Sequence, residues 1–357
     1  MTRSCLAGAS ERLHPELMPG PKLYPRSHYV HEMRAALPPA AFAPARSRLW
    51  RVPLHVGLAI AALAAVARGW LPWPLVPVAS LAIGVNFACL TFVAHEALHG
   101  GVTRSRWLQR VIGWIGLLPF GVSPHLWTAW HNRDHHAHAQ MSNDPDVYPT
   151  LERYVARAST RFSIDRFSLS GRRWRGILSL VLGFTVQSAA QLFTSGALTG
   201  RERRRAFTGT AVMLAIWVGL ALWIGLVSFV FAYIMPLLIA NACVMAFIVT
   251  NHSLSPRVDI DDPLVSSLSV TTSPVIEWLT FGFGYHVEHH LFPAMSTRHA
   301  PQVRAQLIAR WPERYQSMPL TTALSRLHRT ARVYKHHTTL FDPRTAREYP
   351  TLVPRTE

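Results

Sequence analysis

Tyr285-His286-Val287-Glu288-His289-His290-Leu291-Phe292-Pro293 places histidines at i, i+3 and i+4. On a helix that spacing sets all three imidazoles on one face. Neutral imidazole is the commonest metal-ligating side chain and suits iron, copper, zinc and nickel. A lone histidine is more often a satisfied polar residue. Three on one face, with similar clusters elsewhere, point to ligation, and the rest of the chain must show where the partners lie.

The 357 residues are 49% hydrophobic yet carry a formal charge of +17. A soluble nucleic-acid binder can be this basic but does not need long uncharged runs. A membrane protein with basic loops explains both facts. The three cysteines are Cys5, Cys89 and Cys243, with no CxxC, so no disulfide framework, thiolate zinc site or Fe–S signature is expected. Residues 1–50 are polar, with scattered Pro and Arg, and are expected to form a partly disordered cytoplasmic lead-in without a signal-peptide core.

A membrane span needs about 20 mostly apolar residues. Val52–Ala67 and Leu75–Ala94 are the first two candidates, joined by a loop with Trp70 and Trp73, which suit a membrane interface. The second runs directly into His95-Glu96-Ala97-Leu98-His99. Residues 206–251 hold no charge and suffice for two more spans, with a reversal near Gly225 to Ser228 and an end at His252. Val111–Trp130 is interrupted by Pro119, Gly121 and Pro124, and is not expected to cross. Gly176–Gly200 carries Ser179, Gln187, Gln191 and Ser195 at multiples of four; this polar stripe predicts a helix lying in the interface.

Four spans put every histidine cluster on one side. The first inter-span loop carries only Arg68 and the second no charge, so the remaining Lys and Arg lie on the histidine side, including Arg201, Arg203, Arg204 and Arg205. The positive-inside rule makes that side cytoplasmic. The expected fold is an all-α integral membrane protein: four transmembrane helices and a cytoplasmic helical cap carrying the histidines, over residues 51–310. A cytoplasmic tail over 311–357 follows; from about Arg304 it reads as amphipathic helix and then polar tail.

Three clusters stand out: His95 and His99; His131, His135 and His136; and His286, His289 and His290. In an α-helix His131 and His135 share a face and His136 points away, so the adjacent pair can reach two metals. Eight clustered histidines exceed what one metal needs, and a two-metal centre follows. His252, ending the fourth span on the same side, is a ninth candidate ligand. His125 and His138 have weaker claims, and His55 is expected at a span end. Glu96, Asp134, Asp144, Asp146 and Glu288 are candidates to accept the second ring N–H of ligating histidines; solvated loop charges are the alternative.

His95-x3-His99, His131-x3-His135-His136 and His286-x2-His289-His290, followed by Leu291-Phe292-Pro293, resemble the membrane fatty acid desaturase family. The resemblance covers roughly residues 50–310, and the triple pattern is specific where any single box is weak. It implies a non-haem centre of two Fe ions held almost wholly by histidine, oxygen-dependent C–H oxidation and an acyl-chain substrate such as a fatty acyl lipid, acyl-CoA or acyl carrier. His252 occupies the position of an extra histidine often found after the fourth span. Hydroxylases, alkane or carotenoid oxidases and alkene-forming fatty acid decarboxylases are alternatives of the same kind. Electrons are expected from a separate ferredoxin, rubredoxin or b-type cytochrome, because the chain shows no haem domain, Fe–S cluster or dinucleotide motif. The Arg153–Arg175 stretch is either a docking site for that carrier or for phosphates, or topogenic charge at the membrane surface. From another class, HEALH matches the HExxH of a membrane zinc metalloprotease, with Glu as base, but leaves six clustered histidines unexplained. A non-catalytic metal-binding membrane protein is a further alternative.

Overall fold

A computed structural model describes residues 21–354. The first twenty residues of the polar lead-in lie outside them. Five helices are long and apolar enough to cross a membrane. Helix α1 is Arg26–Arg34, α2 Arg51–Ala67, α3 Val76–His99 and α4 Arg106–Leu117; α5 covers residues 124–138. Helix α6 is Ile177–Thr194, α7 Gly200–Ile224 and α8 Leu226–His252, followed by α9 (His286–Leu291), α10 (Ala300–Arg310) and α11 (Leu320–Arg329).

Helix α3 is the central post, packed against α2, α4 and α8. Its 24 residues span about 36 Å at 1.5 Å per residue. Its half nearest the histidines is enclosed from Asn86 to Ala97, as expected for a helix apolar all round. Glycine permits the closest contact: a Cβ on Gly84 would lie 2.7 Å from Ile239 Cβ. Polar side chains tie the helices at depth. The Thr91 hydroxyl donates to Gly116 O (2.9 Å), the Trp217 indole to Leu118 O (2.8 Å) and the Tyr233 hydroxyl to Pro119 O (2.9 Å). The turn between α7 and α8 falls at Gly225, φ +79°, where the uncharged run predicts the reversal. Trp70 and Trp73 are exposed beyond the ends of α2 and α3.

Residues 21–50 are integrated into the fold. Tyr29 and Met33 of α1 are fully buried against Leu264, Val303 and Leu307. Asp262 accepts from Tyr24 N (2.8 Å), the Tyr29 hydroxyl (3.1 Å) and Arg314 (2.7 Å), which locks this segment to the cap.

The all-α expectation needs correction on the histidine side. Strand β1 (Ser269–Thr271) pairs in parallel with β2 (Ser317–Pro319). Strands β3 (Val333–His336), β4 (Thr339–Asp342) and β5 (Arg347–Pro350) form an antiparallel meander where a polar tail was expected. The meander is anchored inward by buried Val333, Tyr334 and Leu340; the Tyr334 hydroxyl donates to Ser255 O at 2.6 Å, just beyond His252.

The polar stripe of α6 faces the protein interior. Ser179, Gln191 and Ser195 are buried, while Ile177, Val186 and Phe193 are exposed. The Gln187 amide donates to Asp146 (2.7 Å). The polar face packs on protein and the apolar face looks outward.

Candidate metal centre

Three elements carry the clusters. His95 and His99 occupy the last turns of α3, which Gly100 ends in the left-handed region at φ +89°. The second cluster lies on α5, where Thr128–His135 winds as a π-helix. The wider turn brings residues five apart onto one face. His131 and His136 therefore converge, their Nε2 atoms 3.2 Å apart. His131 thus sides with His136 as well as stacking on His135, while His135 and His136 go to different groups, as an adjacent pair that reaches two metals would.

The nine histidines fall into two adjoining groups, which a third set of His131, His135 and Asp146 overlaps. His95, His99, His131, His136 and His289 form one; His135, His252, His286 and His290 form the other. Helix α9 thus divides its three, with His286 and His290 together and His289 opposite. The Nε2 atoms of His95 and His131 are 3.1 Å apart, those of His136 and His289 3.1 Å, and those of His286 and His290 3.0 Å. The His136 and His290 rings stack at 4.4 Å, so the groups share a wall.

These distances test whether a metal fits. Imidazole nitrogens bind an ion such as zinc at roughly 2.0–2.1 Å, which sets neighbouring ligands about 3 Å apart. Burial, reinforced by neighbouring imidazoles, holds His131, His136, His286 and His290 well below the ordinary histidine pKa; burial and the nearby His135 and His252 lower His289 to about 3. The rings are neutral, and their lone pairs converge. The buried His99 Nε2 has no hydrogen-bond partner. A cation resolves both features, and the all-imidazole donor set suits a transition metal.

The acids sort unequally. Asp144 Oδ1 lies 3.0 Å from His135 Nδ1, and Asp146 Oδ2 lies 3.4 Å from the same nitrogen. Burial alone would depress His135, but the Asp144 carboxylate outweighs it and raises the pKa to about 9. His252 Nδ1 is held instead by Ser266 O at 2.9 Å. Each contact keeps the proton on Nδ1 and leaves Nε2 for the centre.

Glu96, Asp134 and Glu288 do not accept from a cluster histidine. Arg48 holds the Glu96 carboxylate at 2.8 Å, with Ser296 and Thr297 beside it. That leaves the HEALH motif without a free base. Asp134 approaches His138 at 3.6 Å. Glu288, fully buried, accepts from Ser269 (2.5 Å), Tyr315 (2.6 Å) and Arg304 (3.0 Å), and so fixes α9 from behind. His55 is buried between α2 and α3 and pairs with Asn86 at 2.8 Å instead of sitting at an interface. His125 and His138 stand outside both groups. Sequence spacing gives no signal for Ser266 or for Gln140, whose N–H donates to Asp144 at 2.7 Å.

A cavity of about 860 Å³ opens onto His95, His131, His135, His252 and His286, a size suited to a small-molecule ligand. Phe92, Phe184, Leu182, Val244 and Ile248 supply apolar walls. Helix α6 forms one side, whereas Val111–Phe120 does not line it.

The family model "Fatty acid desaturase" matches residues 69–322. The chain belongs to the fatty acid desaturase family. All nine clustered histidines lie within the matched region. An sn-1 oleoyl-lipid 12-desaturase of Arthrospira platensis is 22% identical over 276 residues, covering 72% of this chain and 75% of that protein. An sn-2 acyl-lipid omega-3 desaturase (ferredoxin) of Helianthus annuus is 26% identical, over 75% of this chain and 63% of its own length. An sn-1 acyl-lipid omega-3 desaturase (ferredoxin) of Synechocystis is 32% identical over 154 residues, 43% of this chain and 42% of the relative. The family is one of membrane oxidoreductases, consistent with the five apolar helices and the histidine groups found here.

Proposed function

We propose that this chain is an oxygen-dependent acyl-lipid desaturase with a di-iron centre held by His95, His99, His131, His136 and His289 on one side and His135, His252, His286 and His290 on the other. The observation that carries the proposal is the convergence of nine buried or half-buried imidazoles, five of which line an apolar-walled cavity. When bound, the iron pair supplies the oxidising power that removes hydrogen from an unactivated methylene. In balance, CH2–CH2 with O2, two electrons and two protons yields CH=CH and two waters.

The chain's own residues have four tasks. Phe92, Leu182, Val244 and Ile248 exclude water and bind the acyl chain. Asp144 and Ser266 O hold the Nδ1 protons of His135 and His252. Glu288, through Arg304, Tyr315 and Ser269, keeps α9 in register. Asp146, with Trp130 and Gln187 as donors, ties α5 to α6 beside the cavity. Electrons come from a separate carrier; the ferredoxin named for two relatives makes a ferredoxin the first to test.

We also propose four spans, α2, α3, α7 and α8, with the histidines cytoplasmic. Both ends of α6 are tied to histidine-side elements, which supports a helix that does not cross. Before it, Gly171 N donates to Thr330 O (2.9 Å); after it, Ala197 O accepts from Arg133 (2.8 Å).

Expression in a lipid-producing host, with and without His289→Ala, tests the activity through the acyl-chain profile. The expected result is a new double bond that disappears in the variant. A hydroxylated chain, terminal alkene or oxidised carotenoid would assign the centre to another oxidation of the same kind. An oxidised product that persists without His289 would contradict the proposed ligand set.

A further inference from the structure

A second polar recess lies apart from the histidine groups. Arg110 of α4 and Arg204 and Arg205 of α7 line a groove of about 400 Å³, with His125, Trp114 and Thr208. The helices present these residues in register. Arg205, Thr208 and Val212 follow i, i+3 and i+7 on α7, and Arg110 and Trp114 follow i and i+4 on α4. Gly209 permits the close packing beneath: a Cβ there would sit 2.7 Å from Ser123 Oγ.

The groove gathers positive charge without a matching acid. Arg110 bonds Arg106 O of its own helix. Neighbouring Glu202 is engaged by Arg133 at 3.0 Å and by the Thr199 cap at 2.9 Å. Among the described residues no carboxylate forms an ion pair with Arg110, Arg204 or Arg205. The three exposed guanidiniums are screened by water and salt, and an anion that bridges them gains from all three.

The surroundings indicate which anion. Trp107, on the same face of α4 as Arg110, is 67% exposed. Val212 and Leu214 are 47% and 51% exposed on α7 beyond the arginines. Cationic at one end and apolar at the other, the groove matches the headgroup level of a bilayer. Guanidinium forks fit phosphate oxygens in pairs, and basic pockets at membrane helices bind lipid head groups.

We propose that this groove binds the phosphate of an anionic phospholipid, whose acyl chains follow the exposed apolar face of α7. The site is separate from the cavity at the histidine centre and does not depend on the reaction performed there. Bound lipid would hold α4 and α7 together beside α5.

The test is native mass spectrometry of the full chain in detergent. Phosphatidylglycerol and phosphatidylcholine of identical acyl chains are titrated separately, then with inorganic phosphate as competitor. Phosphatidylglycerol is expected to bind at least about tenfold tighter than phosphatidylcholine, one high-affinity lipid per chain, and to resist equimolar inorganic phosphate. At roughly fivefold per arginine, Arg204→Gln/Arg205→Gln weakens phosphatidylglycerol by about thirtyfold, and Arg110→Gln, on the other helix, by about fivefold. Arg326→Gln/Arg329→Gln removes equal charge elsewhere and leaves binding unchanged. Equal affinity for the two lipids, displacement by equimolar phosphate, or full binding in a folded groove variant would each overturn the proposal; the wild-type comparison decides even if a variant does not fold.

Discussion

Replacing Asp144 by asparagine separates a carboxylate that orients the centre from one that merely lies near it. Asp144 Oδ1 accepts from His135 Nδ1 (3.0 Å) and Asp146 N (2.9 Å), and Oδ2 from Gln140 N (2.7 Å). An amide keeps one oxygen: placed toward Gln140 N it sets its NH2 against the His135 and Asp146 N–H groups, and placed toward His135 it sets its NH2 against Gln140 N–H and leaves the imidazole a neutral acceptor in place of a carboxylate. Loss of a partner to a metal-bound histidine costs about 10–100-fold in metal affinity or activity, or about 1.4–2.8 kcal/mol. Asp134→Asn is the matched control, because the nearest ion-pair contact of its carboxylate is His138 at 3.6 Å, outside both groups. Iron per purified chain and unsaturated product in the lipid host are the readouts. Asp144→Asn should lose about 10–100-fold in iron affinity, while Asp134→Asn stays near wild type. Equal effects of the two substitutions would refute the reasoning.

Further outcomes follow from other contacts. Glu96→Gln should retain the metal, since Glu96 serves Arg48 and Ser296; metal lost with the carboxylate would restore it to the centre. Gly84→Val should lower the unfolding temperature by the equivalent of about 1–3 kcal/mol, because its Cβ would meet Ile239 at 2.7 Å, while Gly57→Ala, with open space around it, should raise stability by about 0.5–1 kcal/mol. A loss in the second or none in the first would contradict the packing. Metal-free protein should lose stability as pH falls below about 6.5. The unfolded chain then takes up protons that buried His131, His136, His286, His289 and His290 refuse. His135, raised to about 9, acts in the opposite sense, its contribution full below about 6.5 and lost as pH rises through 9. Five against one predicts a lower melting temperature at pH 5.5 than at 7.5; a higher one would contradict the assignment.

The long apolar helices and the histidine clusters were legible because hydropathy and clustering are local signals. The reversal at Gly225 and the end of α8 at His252 fall where an uncharged run and its last apolar turn place them. The partition of ligands was not legible, because an α-helical wheel cannot anticipate the π-turn that joins His131 to His136. The stripe on α6 was visible, but periodicity marks a face without saying whether water or protein covers it; Gln187 bonded to Asp146 decides that. The meander of β3, β4 and β5 escaped because four-residue strands, punctuated by Lys335, His337 and Arg347, give too short an alternation to stand out. Glu96 and Glu288 illustrate the same point for charge: adjacency to histidine in sequence placed them beside the boxes, but long-range partners Arg48 and Arg304 take their carboxylates.

The most direct test is the metal content of the purified full chain, counted per polypeptide. Two irons per chain, both reduced when His290→Ala disrupts the shared wall between the groups, is the result predicted by nine imidazoles in adjoining sets of five and four. A single zinc per chain, or two irons untouched by that substitution, would contradict the proposed centre.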